Sequence, residues 1–215
     1  LVLVLDLIKT SAENSYRVAL GTVSAALVAE IFALRGGRAE VWAPIERVLE
    51  FDLLSKGFST LALFLAFLAL GISWQSFDEE QSRPGEYYAL MITATLGAVL
   101  VAHSEELLTF FLAFEMLSIP LYILAGFRRY HRKSAEAGLK YFLSGALSSA
   151  VFLFGASWIF GASASTHYKD ILAGYEQGHQ QPIIFGLLLI IGAFAFKISA
   201  APFHMCAPDT YEGSP

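Results

Sequence analysis

The chain has 215 residues, of which 56% are hydrophobic and 15% charged, with a formal net charge of −5. Soluble domains average closer to half apolar and a quarter charged. The balance excludes an ordinary soluble enzyme, a disordered chain and, with 14 Lys+Arg against 19 Asp+Glu, a nucleic-acid binder. A single cysteine leaves no disulfide framework and no Cys-based zinc site. The sequence opens at Leu1 without a Met and stops at Pro215 in a turn-like run, so it reads as part of a longer protein.

The apolar residues gather in blocks of about 20, enough to cross roughly 30 Å of hydrocarbon at about 1.5 Å per residue. In chain order they form a short remnant at 1–8, then spans at about 17–34, 54–75, 86–103, 106–127, 136–161 and 182–203. Barrel strands would be half as long and alternate in polarity. The predicted fold is therefore all-α, a polytopic transmembrane helix bundle of six to seven spans, with 1–215 as one integral membrane domain in the lipid bilayer. No small-residue cleavage site follows the first run, which argues against a signal peptide. The link at 103–105 is so short that its flanking helices must be antiparallel neighbours. Four basic residues crowd the loop at 128–133 (RRYHRK), which places that loop on the cytoplasmic side and the start of the chain outside.

Small residues in 136–161, among them Ser144, Gly145, Ser148, Ser149 and Gly155, suit close helix packing. Phe64, Phe67, Phe110, Phe111 and Phe114 read as lipid-facing or core bulk. Trp42, Trp74 and Trp158 lie near span ends, where amphipathic rings are favoured.

The ionisable residues inside apolar spans carry the functional signal, because a charge at the bilayer centre costs about 2.5–3.5 kcal/mol. Asp6 and Glu30 lie in the least defined spans, and Lys56 is near enough to a span end to snorkel to the headgroups. Glu115 stands about 13–14 Å into its helix from Glu106, with no basic neighbour on that helix, so its partner must come from another. Lys197 stands about 22 Å beyond Pro182. Lys140 follows Ser134, a candidate N-cap, and reads as a charge between Glu115 and Lys197. At an assumed spacing of about 8 Å and an effective dielectric of about 20, neighbouring charges of this kind couple by roughly 2 kcal/mol.

Glu115 and Lys197 each precede a proline by five positions (Pro120 and Pro202), and a proline frees the carbonyl four residues before it. Pro202, Pro208 and Gly213 predict a discontinuous helix near residues 197–208, whose C-terminal dipole favours a cation at Lys197. His204 falls in that break and is a possible proton relay, its unperturbed pKa being about 6.5. No phosphate loop, catalytic triad or metal-ligand spacing is present in the sequence.

The runs HSEELLTFFLAFEMLSIPLYILAGF, LKYFLSGALSSAVFLFGASWIFGA and FKISAAPFHMCAPDTYEGSP resemble the N subunit of proton-pumping NADH-quinone oxidoreductase (respiratory complex I), within the antiporter-like subunit family. FEMLSIPLYIL and KYFLSGALSSA look more like the N subunit than its L and M relatives. The resemblance implies a charged axis carrying protons across the membrane arm, with Glu115 as coupling carboxylate, Lys197 as protonatable centre and Lys140 as connector. It implies a non-redox subunit of a translocase in a bacterial inner membrane, whose partners are the other membrane-arm subunits. NADH, FMN, iron–sulfur clusters and quinone are then expected in those partners, with no cofactor or metal in this chain. Cys206 departs from that family's pattern, which has Trp there. Two other readings stay open: a subunit of a Na⁺/H⁺ antiporter of the same repeat family, and a structural membrane anchor with inert ion pairs.

Overall fold

The computed structural model describes residues 12–35, 47–73, 83–128 and 130–215. They form α1 (Ala12–Arg35), α2 (Leu53–Ser73), α3 (Pro84–His103), α4 (Leu107–Ala125), α5 (Arg132–Ser163), α6 (Tyr168–Glu176), α7 (Gln180–Lys197) and α8 (Ala207–Gly213). A 3-10 turn at Phe203–Cys206 leads into α8. The secondary structure of the described residues is helical apart from isolated bridges such as Leu49 to Ser104 and Glu106 to His167. Six of the helices, α1 to α5 and α7, are long and apolar enough to cross a membrane. The remnant at 1–8 with Asp6, and Trp42 and Trp74, fall outside the described residues.

Burial is reversed from that of a water-soluble domain. Large side chains such as Leu53, Phe58, Leu65 and Ile72 of α2 and Leu143 and Leu147 of α5 are exposed. Ser15, Ser55, Ser59, Ser118, Ser134 and Ser148 are buried instead. Small residues inside and apolar bulk outside is the arrangement hydrocarbon selects, since lipid rewards close backbone packing rather than burial of leucine.

Contacts gather the chain into two compact units, Leu1–Ser104 with Met116–Leu121 and Glu105–Glu115 with Tyr122–Pro215. In the first unit α1, α2 and α3 pack on one another around Ala19, Val23, Leu63, Leu70 and Tyr88. Gly97 of α3 lies against the backbone of Met116 and Leu117, where no side-chain carbon fits. In the second unit the main interface is α5 against α7. It closes through two glycines: a Cβ on Gly155 would stand 2.6 Å from the Gly186 carbonyl oxygen. Leu107, Phe152, Ile159, Ile190 and Ala193 form the core there.

Four features differ from the sequence reading. Helix α5 runs for 32 residues from Arg132, because its polar first turns continue the apolar span rather than preceding it. Ser134 is not its N-cap: the Ser134 hydroxyl donates to the Ala125 carbonyl at 3.0 Å, and His131 holds the cap position. The link between the last two spans contains α6, ended by Gly178 at φ 105°. Helix α7 stops at Lys197, well before 203.

The stop has a local cause. Ser199 adopts a left-handed conformation at φ 52°. The Ser199 N–H donates to the Phe196 carbonyl at 3.1 Å and the Ala200 N–H to the Ala195 carbonyl at 2.8 Å. These two bonds make a Schellman cap, satisfying carbonyls that a continuing helix would have used. The predicted discontinuity is present, but this cap ends the helix ahead of Pro202.

Candidate functional site

Helices α4, α5 and α7 bring the site together inside the second unit. Glu115 is about 12 Å into α4 from Leu107, and Lys197 is the last residue of α7. The Lys197 Nζ lies 3.3 Å from the Glu115 Oε1, with side chains only 9% and 20% exposed. The partner for Glu115 thus comes from another helix, and it is Lys197 itself.

Three further groups complete the pair. The Lys197 ammonium donates to the Tyr122 hydroxyl at 2.8 Å, and its Nζ stands 4.5 Å from the centre of the Phe114 ring. The Ser149 hydroxyl donates to the Glu115 Oε1 at 2.5 Å. The walls are phenylalanine: Phe194 edges Phe114 and Phe152, with Phe110 behind them stacked on Phe114 and Phe152. Between them, Phe111, Glu115, Ser148, Ser149, Ala193 and Lys197 line a crevice with room for about one water molecule.

Each helix supplies its part for a physical reason. Tyr122 follows Glu115 by seven positions, two turns along the same face of α4, so both reach α7. Gly145 lies under the Tyr122 ring, where any side chain would collide with it. The Ser148 hydroxyl donates to the Ala193 carbonyl at 2.8 Å, pinning α5 to α7 one turn before Lys197. The C-terminal dipole of α7 favours the cation at its last residue.

Lys140 is placed elsewhere. Its Nζ lies 2.6 Å from Asp209 of α8 and 2.8 Å from Glu136 of α5, with the side chain 38% exposed. It does not stand between Glu115 and Lys197, which meet directly. Eight residues into the long α5, it is about 12 Å from the helix start and faces the segment beyond the break. Lys133 pairs with Glu212 at 2.6 Å, so two ion pairs tie α8 to α5. Gly213 seats this contact against the Lys133 carbonyl and the Ala137 side chain. His204 is exposed on the 3-10 turn.

Sequence reasoning assigned Ser149 to packing and Phe114 to bulk, and passed over Tyr122, Glu136 and Asp209. The i+7 spacing from Glu115 marks Tyr122. The i,i+4 spacing to Lys140 marks Glu136; pairing across helices selects the others, and no spacing in the chain encodes that.

In the first unit, Lys56 does not snorkel outward. Its Nζ donates to the Ala33 carbonyl at 3.2 Å and holds the end of α1. Glu30 accepts from the Ser59 hydroxyl at 2.6 Å. Among the described residues, no three His, Cys, Asp or Glu side chains come together to hold a metal ion.

Glu106 locks the entry to α4. Burial alone would raise its carboxyl, but hydrogen bonds from the Thr109 and Thr166 hydroxyls, with His167 nearby, hold it below the usual carboxylate range.

Residues 104–215 match the family described as NADH:quinone oxidoreductase/Mrp antiporter, transmembrane. The chain is 38% identical to NADH-quinone oxidoreductase subunit N of Moorella thermoacetica, covering 94% of this chain and 43% of that protein. The corresponding Myxococcus xanthus subunit N is 37% identical, over 97% of this chain and 40% of that protein. The chain spans less than half the length of these relatives. Its structure is similar to a chain of respiratory complex I from Thermus thermophilus with bound aureothin. That match has a TM-score of 0.81 and 32% identity, covering 100% of this chain and 45% of that one. It shares its fold with a chain of an archaeal membrane-bound sulfane sulfur reductase, at a TM-score of 0.83 and 21% identity over 45% of that chain. Its helices, its break after Lys197 and its sequence place the chain in the NADH:quinone oxidoreductase/Mrp antiporter family of membrane proteins.

Proposed function

We propose that the chain is the proton-translocating part of an N-type membrane-arm subunit of a bacterial NADH-quinone oxidoreductase. The observation that carries this reading is the Lys197–Glu115 pair, 3.3 Å apart beside a helix break in an apolar crevice. A buried amine and carboxylate able to trade partners can hold a proton on either side of a rearrangement. Glu115 acts as the coupling carboxylate and Lys197 as the protonatable centre, with Tyr122 and Ser149 orienting them. Lys140 connects the set to the segment beyond the break through Asp209, and His204 relays protons at that segment's surface. The chain forms one integral membrane domain, oriented with loop 128–133 in the cytoplasm. It carries no redox group of its own. NADH, FMN, iron–sulfur clusters and quinone belong to partner subunits, which supply the driving reaction.

The test is proton pumping and quinone reduction by the assembled enzyme carrying Lys197→Ala or Glu115→Gln in the full-length subunit. Both substitutions are expected to suppress pumping and the quinone reduction coupled to it. Normal pumping by either assembled variant overturns the reading. The family description also covers Mrp antiporters, which favours sodium–proton exchange as the second reading. Transport that depends on sodium, in membranes lacking flavin and iron–sulfur partners, selects it.

A further inference from the structure

A second ionisable cluster lies within α1, α2, α3 and the residues that lead into α2. His103 is the last residue of α3 and is 5% exposed. Its ring lies 4.7 Å from that of Phe51. The His103 Nδ1 is 2.8 Å from the Glu50 carbonyl oxygen, and its Nε2 is 3.8 Å from the Glu30 Oε1. The Ser59 hydroxyl, fully buried on α2, donates to the same Glu30 oxygen at 2.6 Å.

The partners fix the chemistry. A carbonyl only accepts, so Nδ1 must carry a proton and donate it to Glu50. That leaves Nε2 with either a lone pair or a second proton. At 3.8 Å Nε2 and the Glu30 oxygen are beyond a direct hydrogen bond, but a bare Nε2 facing the partly buried carboxylate leaves that negative charge without a positive partner. One further proton relieves this, either on Nε2 as imidazolium against carboxylate or on Glu30 as a carboxylic acid. Ser59 serves both states. Its hydroxyl donates to Glu30 when Glu30 is ionised, and its proton has an alternative acceptor in the Lys56 carbonyl, 3.0 Å away, when Glu30 itself donates.

We infer that Glu30, Ser59 and His103 form a binding site for a single proton, shared between the carboxylate and the imidazole. The other charged groups around it are few. Asp52 adds a negative charge at the start of α2 that is felt at His103. The Lys56 ammonium is taken by the Ala33 carbonyl. The exposed Glu50 contributes its carbonyl, and the α4 segment of this unit, Met116–Leu121, brings no charge. The site lies where the ends of α1 and α3 meet the start of α2, so its proton exchanges near one end of these helices. It is independent of the reading of Lys197 and Glu115.

The experiment is pH-difference infrared spectroscopy on the full-length subunit in its assembled membrane complex, comparing wild type with Glu30→Gln, His103→Gln and Ser59→Ala. In wild type, imidazole and carboxyl bands change in one shared step. Glu30→Gln removes the imidazolium bands from that step. His103→Gln removes the imidazole bands and leaves the proton to Glu30 alone, seen as a larger acid C=O stretch that Glu30→Gln abolishes. Ser59→Ala removes a hydrogen bond to the ionised carboxylate, so more of the shared proton sits on Glu30 and the acid C=O stretch grows against the imidazolium bands. The inference is overturned if the carboxyl bands in His103→Gln are the same as in wild type, or if the imidazole bands survive unchanged in Glu30→Gln. Should those two variants fail to assemble, Ser59→Ala decides, since it only trims a buried hydroxyl; an unchanged balance of acid C=O and imidazolium bands overturns the inference.

Discussion

Breaking the Lys197–Glu115 pair on one side only, and then on both, separates its electrostatic role from its chemical one. Two unit charges 3.3 Å apart attract by about 5 kcal/mol at an effective dielectric of about 20. The net loss is smaller, because in Glu115→Gln the ammonium keeps the Tyr122 hydroxyl at 2.8 Å and the Phe114 ring at 4.5 Å. A one-sided removal is expected to cost about 3 kcal/mol, the lower end of measured losses for broken buried pairs. The double substitution Glu115→Gln with Lys197→Met leaves no uncompensated charge and should recover most of that cost. Thermal inactivation of the assembled complex reads the stability, and acidification of inverted vesicles reads pumping. Stability should return in the double variant while pumping does not. A double variant no more stable than Glu115→Gln would refute the electrostatic argument, and a double variant that pumps would refute the chemical one.

Three other outcomes follow from the geometry. Gly155→Ala should lower the amount of assembled subunit by an overpacking cost of about 1–3 kcal/mol, since its Cβ meets the Gly186 carbonyl at 2.6 Å. Gly161→Ala on the same helix meets nothing within 4 Å and should be neutral or slightly stabilising, so equal losses in the two would contradict the packing account. Ser199→Gly should preserve the end of α7 and relieve a left-handed serine, whereas Ser199→Val should destabilise by about 1–2 kcal/mol, both read by thermal melting of the complex. Glu106, held below its usual range, contributes stability that is present above the unfolded carboxyl pKa and lost as pH falls through the lower folded value. Glu106→Gln should therefore flatten the acid limb of the stability–pH curve, and an unchanged limb would assign that stability to other carboxyls.

The sequence alone determined the solvent and the element type. Blocks of about 20 apolar residues leave the backbone no partner but itself, so helices are forced, and apart from the early end of α7 the spans emerged within about five residues. The same logic marked Glu115 and Lys197, because a charge in hydrocarbon needs a reason wherever it folds. It also foresaw a break after Lys197 from the prolines that follow, though the stop itself is a left-handed Ser199 and two hydrogen bonds. Serine carries no signal for that conformation. A glycine does, and Gly178 at the end of α6 could have revealed the helix that went unread.

What only tertiary structure decided is which charges meet. Lys140 and Lys197 look alike along the chain, each a lysine in an apolar run. The first is 2.6 Å from Asp209 and the second 3.3 Å from Glu115, at separations of 69 and 82 positions. Helical periodicity fixes the face a side chain takes on its own helix, but not the neighbour that face receives. That neighbour is set by small residues at the contacts: Gly155 and Gly186 let α5 and α7 close together, and Gly145 leaves room for the Tyr122 ring whose hydroxyl meets Lys197.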